Sequence, residues 1–499
     1  MEERYIATAD IGSSKIALTI ARTIGDRMEI LYYKETASAG IRYSCVFNPK
    51  KAAGKLREAI DEAEQELGIK ITQLIVGKPR YSIQEQTAKG KTERTDAASC
   101  ITQEEIYVVK NFAIDDYDKI ENPEKEIIYG AVPQSFCTDD NILLSEEDVI
   151  GMPSRYLEGN FKIFIGSKKA LTNIDTVLNE LGIAQAGMHF LPDATARAVL
   201  SQDELENGVA LIEMGGGVTS LSIYKGDILR HYSAIPFGGK NITADIRYEC
   251  GISESLAENI KLAYGGCLPD RLQSLGDKII QINDDLDSTQ QQIPVKDLSA
   301  IITARAEEII NAMLYKIQES GLADKLRCGI VLCGGGAEMT NLALMVKEMS
   351  GYNVRIGYPK LRQFSTEGMS GIGAPSAAAS IGLLMLAKKD TRLNCITEVK
   401  VRPDHIKEPE PENIQPSWNT PENTVTTDAP ETMETMEKEP VIVGTVFEDA
   451  PETAGTTDKR GGRDKQKEKK RKSFIWTKVT EGKIGDLVDK VGDIFVGLE

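Results

Sequence analysis

Leu211-Ile-Glu-Met-Gly-Gly-Gly-Val-Thr-Ser-Leu-Ser-Ile-Tyr224 is the stretch on which the reading of this chain turns. Two apolar, strand-like runs flank three glycines, and an acid, Glu213, stands just before the turn. With no Cβ in the way, such a turn lets backbone N–H groups come close to a phosphate. A glycine hairpin by itself is only a turn, so its meaning depends on what accompanies it.

A second copy accompanies it. Tyr5-Ile-Ala-Thr-Ala-Asp-Ile-Gly-Ser-Ser-Lys-Ile-Ala-Leu-Thr-Ile20 has the same plan, with Asp10-x-Gly12 matching Glu213-x-Gly215 about 200 residues later. Two such loops suggest a duplicated domain with a ligand held between the halves. A third cluster, Ile330-Val-Leu-Cys-Gly-Gly-Gly-Ala-Glu-Met-Thr340, reads as a buried strand whose glycines open a helix. The N-terminus of such a helix would favour an anionic or polar ligand group.

These loops, with Leu191-Pro-Asp-Ala-Thr-Ala-Arg-Ala-Val-Leu200 and Gly373-Ala-Pro-Ser-Ala-Ala-Ala-Ser-Ile-Gly-Leu383 as connecting helices, resemble the ordered motifs of the actin-like ATPase superfamily over roughly residues 5–390. The resemblance implies an α/β, actin-like (ribonuclease H-like) duplicated two-domain fold with a nucleotide cleft between its halves. To this fold are added a small α/β insertion, a disordered linker and a C-terminal amphipathic helix.

Composition sets limits. A chain of 499 residues can bury a sizeable core. A net charge of −17 argues against nucleic acid as a partner of the body. Eight dispersed cysteines without a Cys-x-x-Cys pair, and three histidines, read as free thiols in a reducing compartment rather than a metal site. Met-Glu-Glu-Arg leads straight into a strand, so no signal peptide is expected, and no apolar run is long enough to span a membrane.

In order, residues 5–11, 16–22, 28–33 and 73–77 read as strands, and 50–67 as a helix ending before Gly68. Residues 83–167 then depart from actin. Thr102-Gln-Glu-Glu105 has the look of a capping box, and 127–136 and 161–165 read as strands. This insertion and its Val132-Pro-Gln134, Gly151-Met-Pro153 and Leu157-Glu158 pattern resemble the FtsA family of bacterial cell-division proteins. On that plan, subdomain 1A takes 1–82 and 168–205, and 1C takes 83–167. Subdomain 2A takes 206–241 and, with the return helix to 1A, 325–390; 2B takes 242–324. The helix predicted at 297–320 returns from 2B. Glu254-Ser-Leu-Ala-Glu-Asn-Ile-Lys261 places Glu258 and Lys261 on one helix face. Alone that is a surface ion pair; the resemblance implies a contact with the ribose.

Beyond 390 the composition changes. Residues 400–457 hold eight prolines and many acids, and 391–458 reads as a disordered tether. Its apolar run 441–447 is equally compatible with a partner-binding strand and with chance. Residues 459–472 carry nine basic and two acidic side chains. Within 473–499, Phe474, Ile475 and Trp476 precede Ile484, Leu487, Val488, Val491, Ile494, Phe495 and Leu498, which share a helical stripe. Its polar face is slightly acidic, which suits a partner-docking helix, whereas the preceding basic run suits anchoring on anionic lipid.

The resemblance implies that ATP and Mg²⁺ are the cofactors. The phosphates would lie on backbone N–H groups of Gly12, Ser13, Ser14, Gly215, Gly216 and Gly217, near Lys15 and Thr219. Asp10 and Glu213 would hold Mg²⁺ through water. Adenosine would rest on Gly334, Gly335, Gly336 and Ala337, beside Glu258 and Lys261. Glu213, Val218 and Ser220 replace Asp, Thr and Asp of the usual second loop, and Leu191 and Arg197 stand where relatives place a water-orienting Glu or Gln. With no clear general base, slow or absent turnover is expected. The family's partners would be the FtsZ C-terminal peptide, a second copy in a protofilament, later division proteins at the insertion, and anionic lipid at the cytoplasmic face of the cell membrane. A PilM- or MreB-like scaffold and a sugar or acetate kinase are the rival readings.

Overall fold

The computed structural model describes residues 3–399 except 26, 118–119, 284–289 and 367–368. The polybasic segment, the amphipathic stripe with all ten of its apolar residues, and all but the start of the tether lie outside the described residues.

The first half begins with strands β1 (Glu3–Ile11), β2 (Lys15–Ile24) and β3 (Arg27–Ala37). The apolar runs of β1 and β2 are buried on both faces, which suits a sheet covered by helices, whereas β3 alternates, burying Met28, Ile30 and Tyr32. Helix α1 (Pro49–Leu67) follows. Asn48 caps it by accepting from the Lys51 N–H at 3.1 Å, Pro49 opens it, and Gly68 ends it in the left-handed region at φ 66°. Ala52, Leu56, Ala59, Ile60 and Ala63 form its buried stripe. Strand β4 (Gln73–Gly77) then pairs parallel to β1.

The insertion follows as β5 (Gln84–Glu93), α2 (Gln103–Asp115), β6 (Glu126–Cys137) and β7 (Tyr156–Ser167), an antiparallel sheet with β7 in the middle. Thr102 and Glu105 close a full capping box on α2. Arg94, almost fully buried, donates to Glu105 at 2.7 Å and to the Ser99 and Ser154 carbonyls. Phe136 and Phe161 meet edge-on at 5.9 Å in a core of the insertion's own. The insertion touches the far half: Gln134 donates to the Leu229 carbonyl at 3.0 Å, and Glu85 accepts from the Tyr232 N–H at 2.8 Å.

The chain returns through α3 (Lys168–Leu181) and β8 (Ala184–His189), which pairs parallel to β4. Helix α4 (Leu191–Val199) crosses to the second half. There β9 (Val209–Met214), β10 (Thr219–Lys225) and β11 (Ile228–Ile235) form the second meander. Helices α5 (Gly239–Cys250), α6 (Glu254–Tyr264) and α7 (Val295–Glu319) build the outer lobe. Strand β12 (Ile330–Cys333), helix α8 (Leu342–Ser350) and strand β13 (Val354–Ile356) complete the sheet, and α9 (Ala378–Ala387) packs back against β1, β2 and β4.

The two large sheets repeat one topology. The first runs β8-β4-β1-β2-β3, with Phe364–Ser365 added at its edge; the second runs β13-β12-β9-β10-β11. In each, an antiparallel meander feeds into parallel strands. This is the duplicated actin-like fold. Because α4 and α9 cross at Gly382, where an added Cβ would lie 1.9 Å from the Ala194 carbonyl oxygen, only a glycine permits so close an approach.

At the third glycine cluster the structure departs from the helix entry expected from the sequence. Gly334–Gly336 do not open a helix; Gly335–Glu338 form one 3₁₀ turn, and α8 starts only at Leu342. Gly334 at φ 81° turns the chain off the strand, and a Cβ there would lie 2.6 Å from the Met214 carbonyl oxygen. A single short turn lacks the aligned peptide dipoles invoked for this end of the cleft.

Candidate functional site: a cleft between two glycine turns

The two hairpin turns close identically. The Gly12 N–H donates to the Lys15 carbonyl at 3.0 Å, and the Gly215 N–H donates to the Val218 carbonyl at 2.9 Å. These two amides are therefore spent on the turns, which corrects their expected role as phosphate donors. The amides of Ser13, Ser14, Gly216 and Gly217 have no hydrogen-bond acceptor among the described residues. The loops face each other closely: a Cβ on Gly216 would lie 1.8 Å from Ser14 Oγ, and one on Gly217 would lie 3.0 Å from Ser13 Oγ. Their glycines are what let the two halves meet.

Between them opens a cleft of about 490 Å³, lined by both loops, Gly334–Gly336, Glu258 and Lys261. Its floor is made by Asp10 and Glu213, each the penultimate residue of its strand. Helix α5 braces the second loop, as Gly239 and Lys240 N–H donate to the Gly215 and Gly216 carbonyls at 2.9 and 2.7 Å. Lys240 Nζ reaches across the halves to the Ser13 carbonyl at 2.7 Å. Lys261 Nζ is held by Glu258 at 2.7 Å, Thr243 Oγ1 at 2.8 Å and the Gly239 carbonyl at 3.1 Å. Lys15 lines the cleft, with its ammonium paired to Glu35.

Some residues the sequence singled out lie elsewhere. Thr219 is fully buried and donates its hydroxyl to the Phe237 carbonyl at 2.9 Å, because alternation along β10 turns it away from the cleft. Ala337 is buried in the core of the second half. Arg197 points away, to Asp193 and Asp227 at 3.4 Å each, and Leu191 packs on Gly77. From α4 it is Thr195, itself fully buried, that touches a floor acid, donating to Glu213 Oε2 at 3.0 Å.

The residue that sequence reasoning missed is Arg80. Its guanidinium lies between the floor acids, with Nη2 2.8 Å from Glu213 Oε1 and Nη1 3.5 Å from Asp10 Oδ1. Its own N–H donates to Ser44 Oγ at 3.2 Å, Ser44 N–H donates to Ser13 Oγ at 2.8 Å, and Tyr232 donates to its carbonyl. Burial opposes the guanidinium's charge, but Glu213 and Asp10 more than offset that and raise its pKa. Burial pushes the Glu213 carboxyl above its usual range, and Arg80 opposes that shift. Nothing in Lys78-Pro79-Arg80-Tyr81 marks this arginine; only the meeting of three strand ends does.

As placed, the floor acids do not fit a metal ion. Mg²⁺ takes carboxylate or water oxygens in an octahedral shell, and here one cation already bridges both carboxylates. Among the described residues no group of three or more His, Cys, Asp or Glu could hold a metal, and all eight cysteines are unpaired. No helix of the described residues is long and apolar enough to cross a membrane.

A family profile described as cell division protein FtsA matches residues 210–382. The chain is 31% identical over 391 residues to cell division protein FtsA of Neisseria meningitidis, covering 78% of this chain and 91% of that one. It is 29% identical over 404 residues to the FtsA of Borreliella burgdorferi, covering 80% and 94%. Among solved structures, a chain of the PilM–PilN type IV pilus biogenesis complex superposes with a TM-score of 0.54 at 14% identity, covering 76% of this chain and 98% of that one. That last likeness concerns the fold alone.

Proposed function

This chain belongs to the FtsA family of cell-division proteins, and from that premise we propose that it binds ATP between its two glycine turns, assembles end to end, and tethers FtsZ filaments to the cytoplasmic membrane. The observation that carries the nucleotide reading is the cleft itself: two turns closed by the same i to i+3 hydrogen bond face each other across about 490 Å³. Phosphate oxygens would meet the N–H groups of Ser13, Ser14, Gly216 and Gly217, and the nucleoside would lie towards Gly334–Gly336, Glu258 and Lys261. Turnover would be slow. Both oxygens of Glu213 are engaged, one by Arg80 and one by Thr195, so it is a poor base for an attacking water. Head-to-tail contacts between copies are heterologous and give open filaments.

Gly216→Ala tests the cleft. Its methyl would meet Ser14 Oγ and part the loops. ATP affinity should fall by about tenfold or more, near 1.4 kcal/mol, with the melting temperature little changed. Undiminished affinity by calorimetry would contradict the placement of the phosphates.

The membrane part rests on the polybasic run and the apolar stripe after it. Each basic residue near anionic lipid contributes roughly 1 kcal/mol, and stable anchoring generally needs a second signal. Deleting 473–499 should release the chain from anionic liposomes in co-sedimentation while leaving binding of an FtsZ C-terminal peptide intact. Equal pelleting of the shortened chain would remove the tether.

A further inference from the structure

We propose that Arg80 is the resident cation of this cleft, bridging Asp10 and Glu213 where a metal ion would otherwise stand, so that the chain holds nucleotide phosphates without a divalent cation. The inference rests on the nucleotide reading and specifies its chemistry.

Three observations carry it. The Arg80 side chain is 9% exposed and bridges both acids, at 2.8 and 3.5 Å. Its backbone is pinned on both sides, by Ser44 and Tyr232, so the side chain is directed at the acids by the fold. Its Nε–H is buried with no hydrogen-bond partner among the described residues, and Asp10 Oδ1 is likewise without one, although both residues line the cleft. Admitting a metal ion between the acids would require the guanidinium to leave both, stranding a buried charge without a partner. The second loop points the same way. Val218 and Ser220 stand where the superfamily resemblance leads one to expect a hydroxyl and a carboxylate, so fewer oxygen ligands surround the position.

The test is calorimetric titration of the full-length chain with ATP, once in excess EDTA and once in excess Mg²⁺. The dissociation constants should agree within about threefold. Binding weakened about tenfold or more in EDTA overturns the proposal but leaves the nucleotide reading standing. No binding in either buffer removes both. Arg80→Gln should lose binding in EDTA and regain it in Mg²⁺, because two freed carboxylates can then take the metal; unaltered binding in EDTA would count against Arg80. Should Arg80→Gln fail to fold, Arg80→Lys keeps a cation at the position. It should bind in EDTA, and a strict Mg²⁺ requirement in that variant would overturn the assignment.

Discussion

Gly382→Val should lower the stability of the folded chain by about 3 kcal/mol, the upper end of what overpacking typically costs and a large share of the roughly 5–15 kcal/mol available to a typical domain. The cause is local and geometric. Gly382 lies in α9 where it crosses α4, and a Cβ built there falls 1.9 Å from the Ala194 carbonyl oxygen and 2.3 Å from its carbon. Backbone cannot swing aside as the end of a long side chain can, so the helices must separate. Both are lined with small buried residues at the crossing, Ala194 and Ala198 on one and Ala378 and Ala379 on the other. A separation therefore loses dispersion contacts along the whole seam. The seam also sets the spacing of the cleft, since α4 carries Thr195 to Glu213 and α9 packs on β1, which carries Asp10. Thermal unfolding followed by circular dichroism would register the loss; a melting curve superimposable on the parent's would show that the crossing is slack.

The parts of this protein legible from sequence are those in which local pattern and tertiary role agree. Around Gly12 and around Gly215–Gly217, an acid, a glycine turn and flanking apolar runs recur with one spacing, and the structure gives both turns the same closing hydrogen bond. The capping box at Thr102 is local too, requiring only residues three apart. What failed depended on direction or on distance in the chain. Thr219 sits one residue from Ser220, the strand partner of Glu213, and strand alternation sends its side chain to the other face. The glycines at 334–336 begin like a helix entry, but Gly334 adopts a left-handed φ to clear Met214, a contact between two strands that no short window contains. Arg80 is the extreme case. It is 70 residues from one floor acid and 133 from the other, counting 80 − 10 and 213 − 80, and its neighbours in sequence have nothing to do with its role.

Arg80→Ala should then be the most damaging single change in the cleft, costing about 3–5 kcal/mol near neutral pH, because it strands the buried Asp10 and the largely buried Glu213 carboxylates without their shared countercharge. The loss carries a pH signature whose sign follows from Glu213. Burial holds the folded-state pKa of Glu213 above its ordinary value while Arg80 pulls it down. For an acid raised in this way, the folded state retains its proton better than the unfolded chain. The resulting stabilisation is present in full below the unfolded pKa and is lost as pH rises through the folded one. Removing Arg80 takes away the lowering influence, so the folded pKa climbs further and the window of pH dependence extends upward. The deficit relative to the parent should consequently shrink as the pH is lowered from about 7.5 towards about 5, where a protonated Glu213 no longer needs the guanidinium. Urea unfolding of parent and variant across that range measures the difference directly. A deficit that stays constant with pH would mean that the arginine stabilises the floor by packing its aliphatic stem and not by its charge.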